Sequence, residues 1–240
     1  MSDIRVNALN IRAVDYSEGD KLLTLLTYER GRITAKIRSV KAPKSKLKYA
    51  ASPFTFGEYL LAYKNGRYTV CGCDLKESFS NISSDYEKFY SASALNEACY
   101  RLTKDNLECR ELISCLLTRL KVLNYTDIFP ALVAADGLLK ILALSGYSVI
   151  GDGCAVCGSE DCGYFSLSSG GTVCKEHSRD IDIKVSAKLT DLLKKISYSD
   201  IGEINADRQT VIEALNLISG YFTYQTDAPL KSVSGLIAVL

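Results

Sequence analysis

The chain has 240 residues, with 29 Lys and Arg against 28 Asp and Glu, so its formal net charge is +1. Hydrophobic residues make up 47% of it and charged residues 24%, close to the average of a globular protein. This composition excludes a collagen-like, low-complexity or broadly disordered chain, because such a chain cannot bury enough apolar surface to offset its ordering entropy. The length allows one or two domains of roughly 100–200 residues each.

The ends and the apolar stretches give no targeting signal. The N-terminus leads into alternating apolar and polar residues and has no signal-peptide core. The most apolar stretch, residues 131–144, is interrupted by Asp136 and Lys140 and is shorter than the ~20 residues of a membrane span. We therefore expect a cytosolic protein.

Residues 1 to about 78 have the pattern of β-strands. Apolar and polar residues alternate from Ile4 onward and again over 32–38. Two further runs, 55–63 and 67–75, flank Asn65-Gly66, the dipeptide that most strongly indicates a two-residue hairpin. Five short strands with no long helical pattern predict a small barrel, of the OB or the SH3-like type.

From about residue 84 the pattern becomes helical. Ser84 and Glu87 have the spacing of a capping box, which indicates the start of a helix. Apolar residues then recur at helical spacing. Further helices are predicted at about 112–123, 128–146, 187–196 and 207–223.

These elements predict an α+β protein of two domains. Residues 1–80 form the five-stranded barrel, and residues 81–240 form a helical domain. Residues 150–180, which are rich in cysteine, interrupt the helical domain as a small insert.

The charges are unevenly distributed along the chain. Residues 1–50 carry a net charge of +6, and the remaining 190 residues carry −5. Like charges without a partner repel one another, and an anionic backbone relieves that repulsion. The pattern therefore favours a nucleic-acid partner, and the alternative is a solvated basic edge that prevents sheet-to-sheet association. Most of the excess comes from eight basic residues with no acid among them: Arg30, Arg32, Lys36, Arg38, Lys41, Lys44, Lys46 and Lys48.

The alternation over residues 32–38 predicts which side chains of this strand face the barrel core and which face outward. Because side chains of a strand point alternately to its two faces, Ile33, Ala35 and Ile37 are expected in the barrel core. Arg32, Lys36 and Arg38 are then expected on the outer face. Residues 41–48 are predicted to be an exposed basic loop, and Tyr49 beside it is the best candidate to stack on a base.

A second cluster has the spacing of a zinc site. Cys154, Cys157, Cys174 and His177 form C-x2-C-x16-C-x2-H, the two-knuckle pattern of a zinc ribbon. Three thiolates and one imidazole complete a tetrahedral shell, which predicts one structural Zn²⁺ ion. Cys162 is the alternative fourth ligand.

Motifs typical of enzymes are not found. His177 is the only histidine and is assigned to the metal cluster, so a His-dependent catalytic site has no separate base. The sequence has neither a GxxxxGK[ST] nor a GxGxxG phosphate loop. These observations predict a binding protein without enzymatic activity.

The combination of basic barrel, helical domain and cysteine insert resembles the RecO family of bacterial recombination mediators. The resemblance extends over nearly the whole chain. It is carried by SEGDK at 17–21, TYERG at 27–31, Lys44-Ser45-Lys46-Leu47, Pro53-Phe54, and Tyr164-Phe165-Ser166 followed by Gly170-Gly171 and Cys174.

The resemblance implies an OB-type barrel and a cytoplasmic, nucleoid-associated DNA repair protein. Such a protein binds single- and double-stranded DNA and anneals complementary strands. It works with RecR, and often RecF, on DNA covered by single-strand-binding protein, whose C-terminal tail it contacts, so that RecA can load. An RNA- or tRNA-binding OB/zinc protein and a protein-interaction scaffold are the alternatives.

The resemblance also carries residues over. Cys154, Cys157 and Cys174 match the zinc knuckles of the family, whereas His177 stands where many members have cysteine and Cys162 is additional. The matches to the basic OB segment of the family are Arg32, Lys36, Arg38, Lys41, Lys44, Lys46 and Lys48.

Overall fold

Five strands close into a barrel at the N-terminus. In the computed structural model, which describes residues 2–105 and 107–240, the strands run in the order β1-β2-β3-β5-β4 and β4 closes back on β1. The β3–β5 pair is parallel and the other pairs are antiparallel. This barrel is of the OB type. The strands are β1 (Ser2–Asp15), β2 (Lys21–Thr27), β3 (Gly31–Ile37), β4 (Phe56–Lys64) and β5 (Arg67–Glu77).

The sequence signals explain this barrel. Asn65 and Gly66 both have positive φ, 51° and 77°, as the predicted two-residue turn between β4 and β5 requires. The alternation in β3 is confirmed, because Ile33, Ala35 and Ile37 are buried in the barrel core.

Six helices follow the barrel. The central helix is α3, which is apolar on nearly all sides and packs against α1, α2 and α5. Its Gly137 allows a close approach, since a Cβ there would lie 2.5 Å from Leu95 of α1. The helices are α1 (Tyr86–Leu102), α2 (Arg110–Tyr125), α3 (Pro130–Leu144), α4 (Ala187–Tyr198), α5 (Arg208–Thr226) and α6 (Lys231–Val239). None of the helices in the described residues is long and apolar enough to cross a membrane.

Two details differ from the sequence prediction. The cap of α1 is Asp85 and not Ser84: the Asp85 carboxylate accepts a hydrogen bond from the backbone N–H of Lys88 at 2.9 Å. The final helix, α6, was not predicted; its Gly235 lies directly against the ring of Tyr90.

The cysteine-rich segment forms a small antiparallel sheet between α3 and α4. The sheet contains β6 (Tyr164–Ser166), β7 (Gly171–Val173) and β8 (Ile183–Lys184), with β6 in the middle. Phe165 of β6 packs edge-to-face on Tyr221 of α5, with ring centroids 5.8 Å apart. The sheet is therefore anchored to the helical core.

One side of the barrel packs into the hydrophobic core of the helices. Leu9, Leu26 and Phe54 of the barrel region belong to the same buried cluster as Leu95 and Leu138 of the helices. The barrel interior, which includes Ile33, forms a second cluster of its own. The contact between barrel and helices is therefore apolar.

Candidate nucleic-acid interface and metal centre

A groove crosses the outer face of the barrel. It has a volume of about 960 Å³ and lies between the β1–β2 loop, residues 16–20, and the β4–β5 turn at Asn65-Gly66. In OB folds the face of β2 and β3 between these two loops binds oligonucleotides. We call this feature the barrel groove. Four of its lining residues are basic, and none of those lining it in the described chain is acidic: Lys36, Arg38, Lys64 and Arg67 are the basic ones.

Two of these cations come from the predicted basic stretch and two do not. Lys36 and Arg38 lie in and just after β3, as the alternation predicts. Lys64 and Arg67 flank the β4–β5 turn and were not predicted. The parallel β3–β5 pairing, which places Lys36 beside Thr69, brings the two pairs of cations to one groove.

Two tyrosine rings also line the groove. Tyr16 is 54% exposed, and the ammonium of Lys36 lies 4.9 Å from the centre of its ring. Tyr68 is half-buried and packs against Tyr63 with ring centroids 4.7 Å apart. Both can offer ring faces to unpaired bases. Tyr16 lies in the β1–β2 loop and Tyr68 is the second residue of β5, so a tyrosine beside each of these two turns was the available sequence signal.

Acidic residues neutralise part of the basic stretch. Lys36 pairs with Asp20 at 2.7 Å, and Lys41 pairs with Asp15 at 2.9 Å. The hydrogen bond from Lys36, with a second from the backbone N–H of Ser39, lowers the pKa of Asp20 to about 2. The expectation of eight cations without partners is therefore wrong for Lys36, Lys41 and Arg32.

Arg32 lies outside the barrel groove and joins the barrel to the helices. Its guanidinium pairs with Asp105 at 2.9 Å and donates to the backbone carbonyl of Tyr100 at 2.7 Å. It also lies over the ring of Tyr100, 4.8 Å from the centre. The strand alternation put Arg32 on the outer face, as found, but that part of the face is covered by α1.

The remaining predicted DNA contacts do not line the groove. Arg30 is exposed in the turn between β2 and β3, away from the groove. The hydroxyl of Tyr49 donates to the backbone carbonyl of Cys73, and Tyr49 is not among the residues that line the groove. The exposed basic side chains of the loop after β3 are Lys41, Lys44, Lys46 and Lys48.

The second candidate site is formed by the predicted metal ligands. The ligand atoms of Cys154, Cys157, Cys174 and His177 all lie within 4.8 Å of one another. Cys157 Sγ is 3.9 Å from Cys174 Sγ, and His177 Nδ1 is 3.2 Å from Cys174 Sγ and 3.8 Å from Cys154 Sγ. Tetrahedral zinc with Zn–S bonds of ~2.3 Å requires edges of about 3.6–3.8 Å. The donor set and spacing therefore fit zinc.

Turns and backbone N–H groups near the cysteines determine the position and the acidity of their thiols. Gly158, at φ 76°, closes the first knuckle by donating its N–H to the carbonyl of Cys154 at 2.8 Å. Burial raises the pKa of Cys154, but N–H groups of Cys174, Cys157 and Val156 outweigh it and lower the pKa to about 6. A thiol of this kind gives up its proton readily, as a zinc ligand must.

Cys162 is not part of this cluster. Its thiol donates to the backbone carbonyl of Ser159 at 3.2 Å, whereas His177 occupies the fourth position. The cluster stands on a very small apolar core, whose buried members in the described chain are Cys154, Val173 and Cys174.

An OB-type barrel with a basic groove is typical of nucleic-acid-binding proteins, and in this chain it is joined to helices that carry a Cys₃His cluster. Comparison of the sequence with models of known protein families identifies the family. Residues 1–79 match the family model described as "Recombination protein O N terminal", and residues 83–234 match "Recombination protein O C terminal". The chain belongs to the RecO family of DNA repair proteins.

Several DNA repair proteins are similar to this chain over nearly its full length. A "DNA repair protein RecO" from Caldanaerobacter subterraneus subsp. tengcongensis is 28% identical over 239 residues, covering 97% of this chain and 96% of that protein. A "DNA repair protein RecO" from Exiguobacterium sp. is 30% identical, and the match covers 97% of this chain and 91% of that protein. A third, from Desulfitobacterium hafniense, is 31% identical, and the match covers 98% of this chain and 89% of that protein.

Proposed function

We propose that this protein is a non-enzymatic recombination mediator that binds DNA in the barrel groove and anneals complementary strands. In this proposal residues 1–80 contact DNA, and residues 81–240 position the barrel and receive protein partners in the cytoplasm. The observation that carries the proposal is the groove itself. It combines four cations with the exposed Tyr16 and the half-buried Tyr68, and it has no acid among its described lining residues.

Annealing follows from this chemistry. Cations that neutralise phosphates reduce the repulsion between two strands, and they do not contact the base edges that must pair. Arg38, Lys64 and Arg67 make no ion pair within the described chain, so all three are available to phosphates. The lysines of the loop 41–48 extend the basic surface beyond the groove.

In this proposal the Cys₃His cluster holds one structural Zn²⁺ ion. Four protein ligands leave no open coordination position, so the ion supplies stability to the insert and takes part in no reaction. Because the insert buries so few apolar side chains, we infer that the metal replaces the core that the segment lacks.

We further propose RecR, RecF and RecA as functional partners, together with the acidic tail of single-strand-binding protein. The site proposed for that tail is a cleft of about 350 Å³ between α3 and α4. Leu139, Leu193 and Ile196 form its apolar wall, which suits the hydrophobic residues of a peptide. Lys140 at its edge is paired with Asp136 at 2.7 Å, and Asp152 also lines the cleft, so the apolar wall carries this assignment.

The test is annealing of complementary strands coated with single-strand-binding protein, with and without RecR. We expect the protein to accelerate annealing, and RecR to change its activity on coated strands. No acceleration over the spontaneous rate would refute the proposal. Competition between DNA and RNA oligonucleotides separates the RNA-binding alternative, and salt-insensitive binding or none would indicate a scaffold.

A further inference from the structure

A second cleft lies where the barrel meets the helices. Its volume is about 530 Å³, and it is bordered by β1, the segment before β4, α1 and the start of α6. We call it the junction cleft. It is separate from the barrel groove, with which it shares no lining residue.

The junction cleft contains a buried amide with unused hydrogen-bonding capacity. Asn96 of α1 is only 4% exposed, and its Nδ2 donates to the backbone carbonyl of Ile11 at 3.3 Å. That bond fixes the amide orientation, because turning it would place two oxygens together. Its Oδ1 is buried and has no hydrogen-bond donor among the described residues. Buried polar atoms are rarely left in this state, so Oδ1 points to a donor that a ligand brings.

The surroundings of Asn96 are aromatic on one side and basic on the other. Phe54 and Phe89 line the cleft, packed edge-to-face with ring centroids 5.7 Å apart. Arg12, Arg101 and Lys231 are exposed at its rim.

One acid lies among these cations. It is Glu97, whose carboxylate accepts from the backbone N–H of Ser232 at 2.8 Å and lies 3.7 Å from Arg101. Three cations against this single, already bonded carboxylate leave the rim positive.

We propose that the junction cleft receives an unpaired nucleotide of the DNA strand that occupies the barrel groove. An amino or imino N–H of the base donates to Asn96 Oδ1, and the ring lies against Phe89. The adjoining phosphates meet Arg12, Arg101 and Lys231. This inference rests on the proposed function and deepens it, because a site that takes an unpaired base selects single-stranded over duplex DNA.

The sheet connects the two sites. Arg12 of β1 is paired with Thr24 of β2, which is paired with Thr34 of β3. Arg12 lines the junction cleft and Thr34 lines the barrel groove, so the sites are two strand spacings apart, or about 10 Å.

Between the two sites the guanidinium of Arg12 lies 5.0 Å from the ring centre of Tyr100. Arg32 contacts the same ring but is paired with Asp105, so Arg12 is the cation of this pair that is available to a phosphate. The short distance between two sites that both present unpaired cations favours one nucleic-acid strand as the occupant.

The test compares single-stranded oligonucleotides of about 5 and about 15 nucleotides by fluorescence anisotropy, since one OB barrel covers roughly 4–16 nucleotides. The cleft variant is Arg101→Ala with Lys231→Ala, which leaves Asn96 and the core intact. Losing two phosphate contacts should reduce the salt slope of the longer oligonucleotide by about 1.4 and its affinity about 25-fold at 0.1 M salt. The shorter oligonucleotide should bind as before. The matched control replaces two exposed lysines elsewhere, Lys121→Ala with Lys194→Ala. It should change neither the salt slope nor the affinity of either oligonucleotide.

A second measurement tests the base contact. The longer oligonucleotide carries 5-iodouracil, and irradiation should attach it to Phe89 or Tyr100, as mapped by mass spectrometry. Asn96→Leu, which fills the space with apolar atoms, should abolish this adduct, and its thermal unfolding is measured in parallel to check that it folds.

The outcomes separate this inference from the proposed function. If the cleft variant binds both oligonucleotides like the wild type and no adduct forms, the junction cleft is not a nucleotide site, although the barrel groove still is. If replacing Arg38, Lys64 and Arg67 leaves both affinities unchanged, the proposed function itself fails. If a short acidic peptide binds the wild type but not the cleft variant, whereas the longer oligonucleotide binds both equally, the cleft is a peptide site and the nucleotide assignment is wrong.

Discussion

The cations of the barrel groove allow a quantitative prediction of how DNA affinity depends on salt concentration. Arg38, Lys64 and Arg67 line the groove and have no acidic partner in the described chain, so replacing all three with Ala removes three phosphate contacts without exposing an acid. On single strands each contact contributes about 0.7 to the slope of log K against log[salt]. At 0.1 M salt that is roughly fivefold in affinity per contact, or roughly 100-fold for three. Lys36 is already paired with Asp20, so the three unpaired cations account for a slope of about −2.1, which the triple variant should lose.

The assay is fluorescence anisotropy with a labelled single-stranded oligonucleotide at several salt concentrations. The matched control changes the net charge by the same amount elsewhere: Lys121, Lys184 and Lys194 are exposed and replaced with Ala. We expect the control to keep the wild-type slope. A groove variant with the wild-type slope, or a control that loses as much as the groove variant, would refute the argument, because binding would then depend on total charge and not on the groove.

Three further predictions concern the metal, the barrel–helix contact and pH. One zinc ion per chain should copurify and be lost in Cys157→Ala, with lower thermal stability; native mass spectrometry of a folded, metal-free wild type would contradict this. Arg32→Ala should cost about 2 kcal/mol in urea unfolding because it breaks charge-assisted bonds to α1, and it should leave the salt slope of DNA binding unchanged; a slope reduced by about 0.7 would make Arg32 a DNA contact instead. The Lys36 hydrogen bond lowers the pKa of Asp20 from 3.8 to about 2, so its stabilising effect is present above pH 4 and is lost as the pH falls toward 2. The loss of unfolding free energy over that interval should be smaller in Asp20→Asn, and equal losses would contradict the pairing.

Local patterns predicted the parts of the fold that depend on local chemistry. Strand alternation identified the buried residues of β3, and the Asn65-Gly66 dipeptide identified the hairpin, because both act over a few neighbouring residues. The spacing of the two knuckles predicted a metal cluster for the same reason. The helix α6 was missed because it is short and its position depends on distant contacts, such as Gly235 against Tyr90. The cap of α1 was off by one residue because Ser84 and Asp85 are both good capping residues.

The barrel groove could be predicted only in part, because it is a product of strand order. Nothing local to Lys64 or Arg67 indicates that they will face Lys36. That proximity comes from the parallel β3–β5 pairing, which joins two strands separated in sequence by residues 38–66. A charge count along the chain therefore locates the basic strand but not its partners in the groove.

The same strand shows why a run of cations is not one binding surface. Along β3, Arg32 at one end is covered by α1 and neutralised by Asp105, whereas Lys36 at the other end opens onto the barrel groove. The two residues have the same alternation and lie on the same face, so only the position of the helices distinguishes them. The basic stretch therefore has two roles: Lys36 and Arg38 supply charge to the barrel groove, whereas Arg32 fastens the barrel to α1.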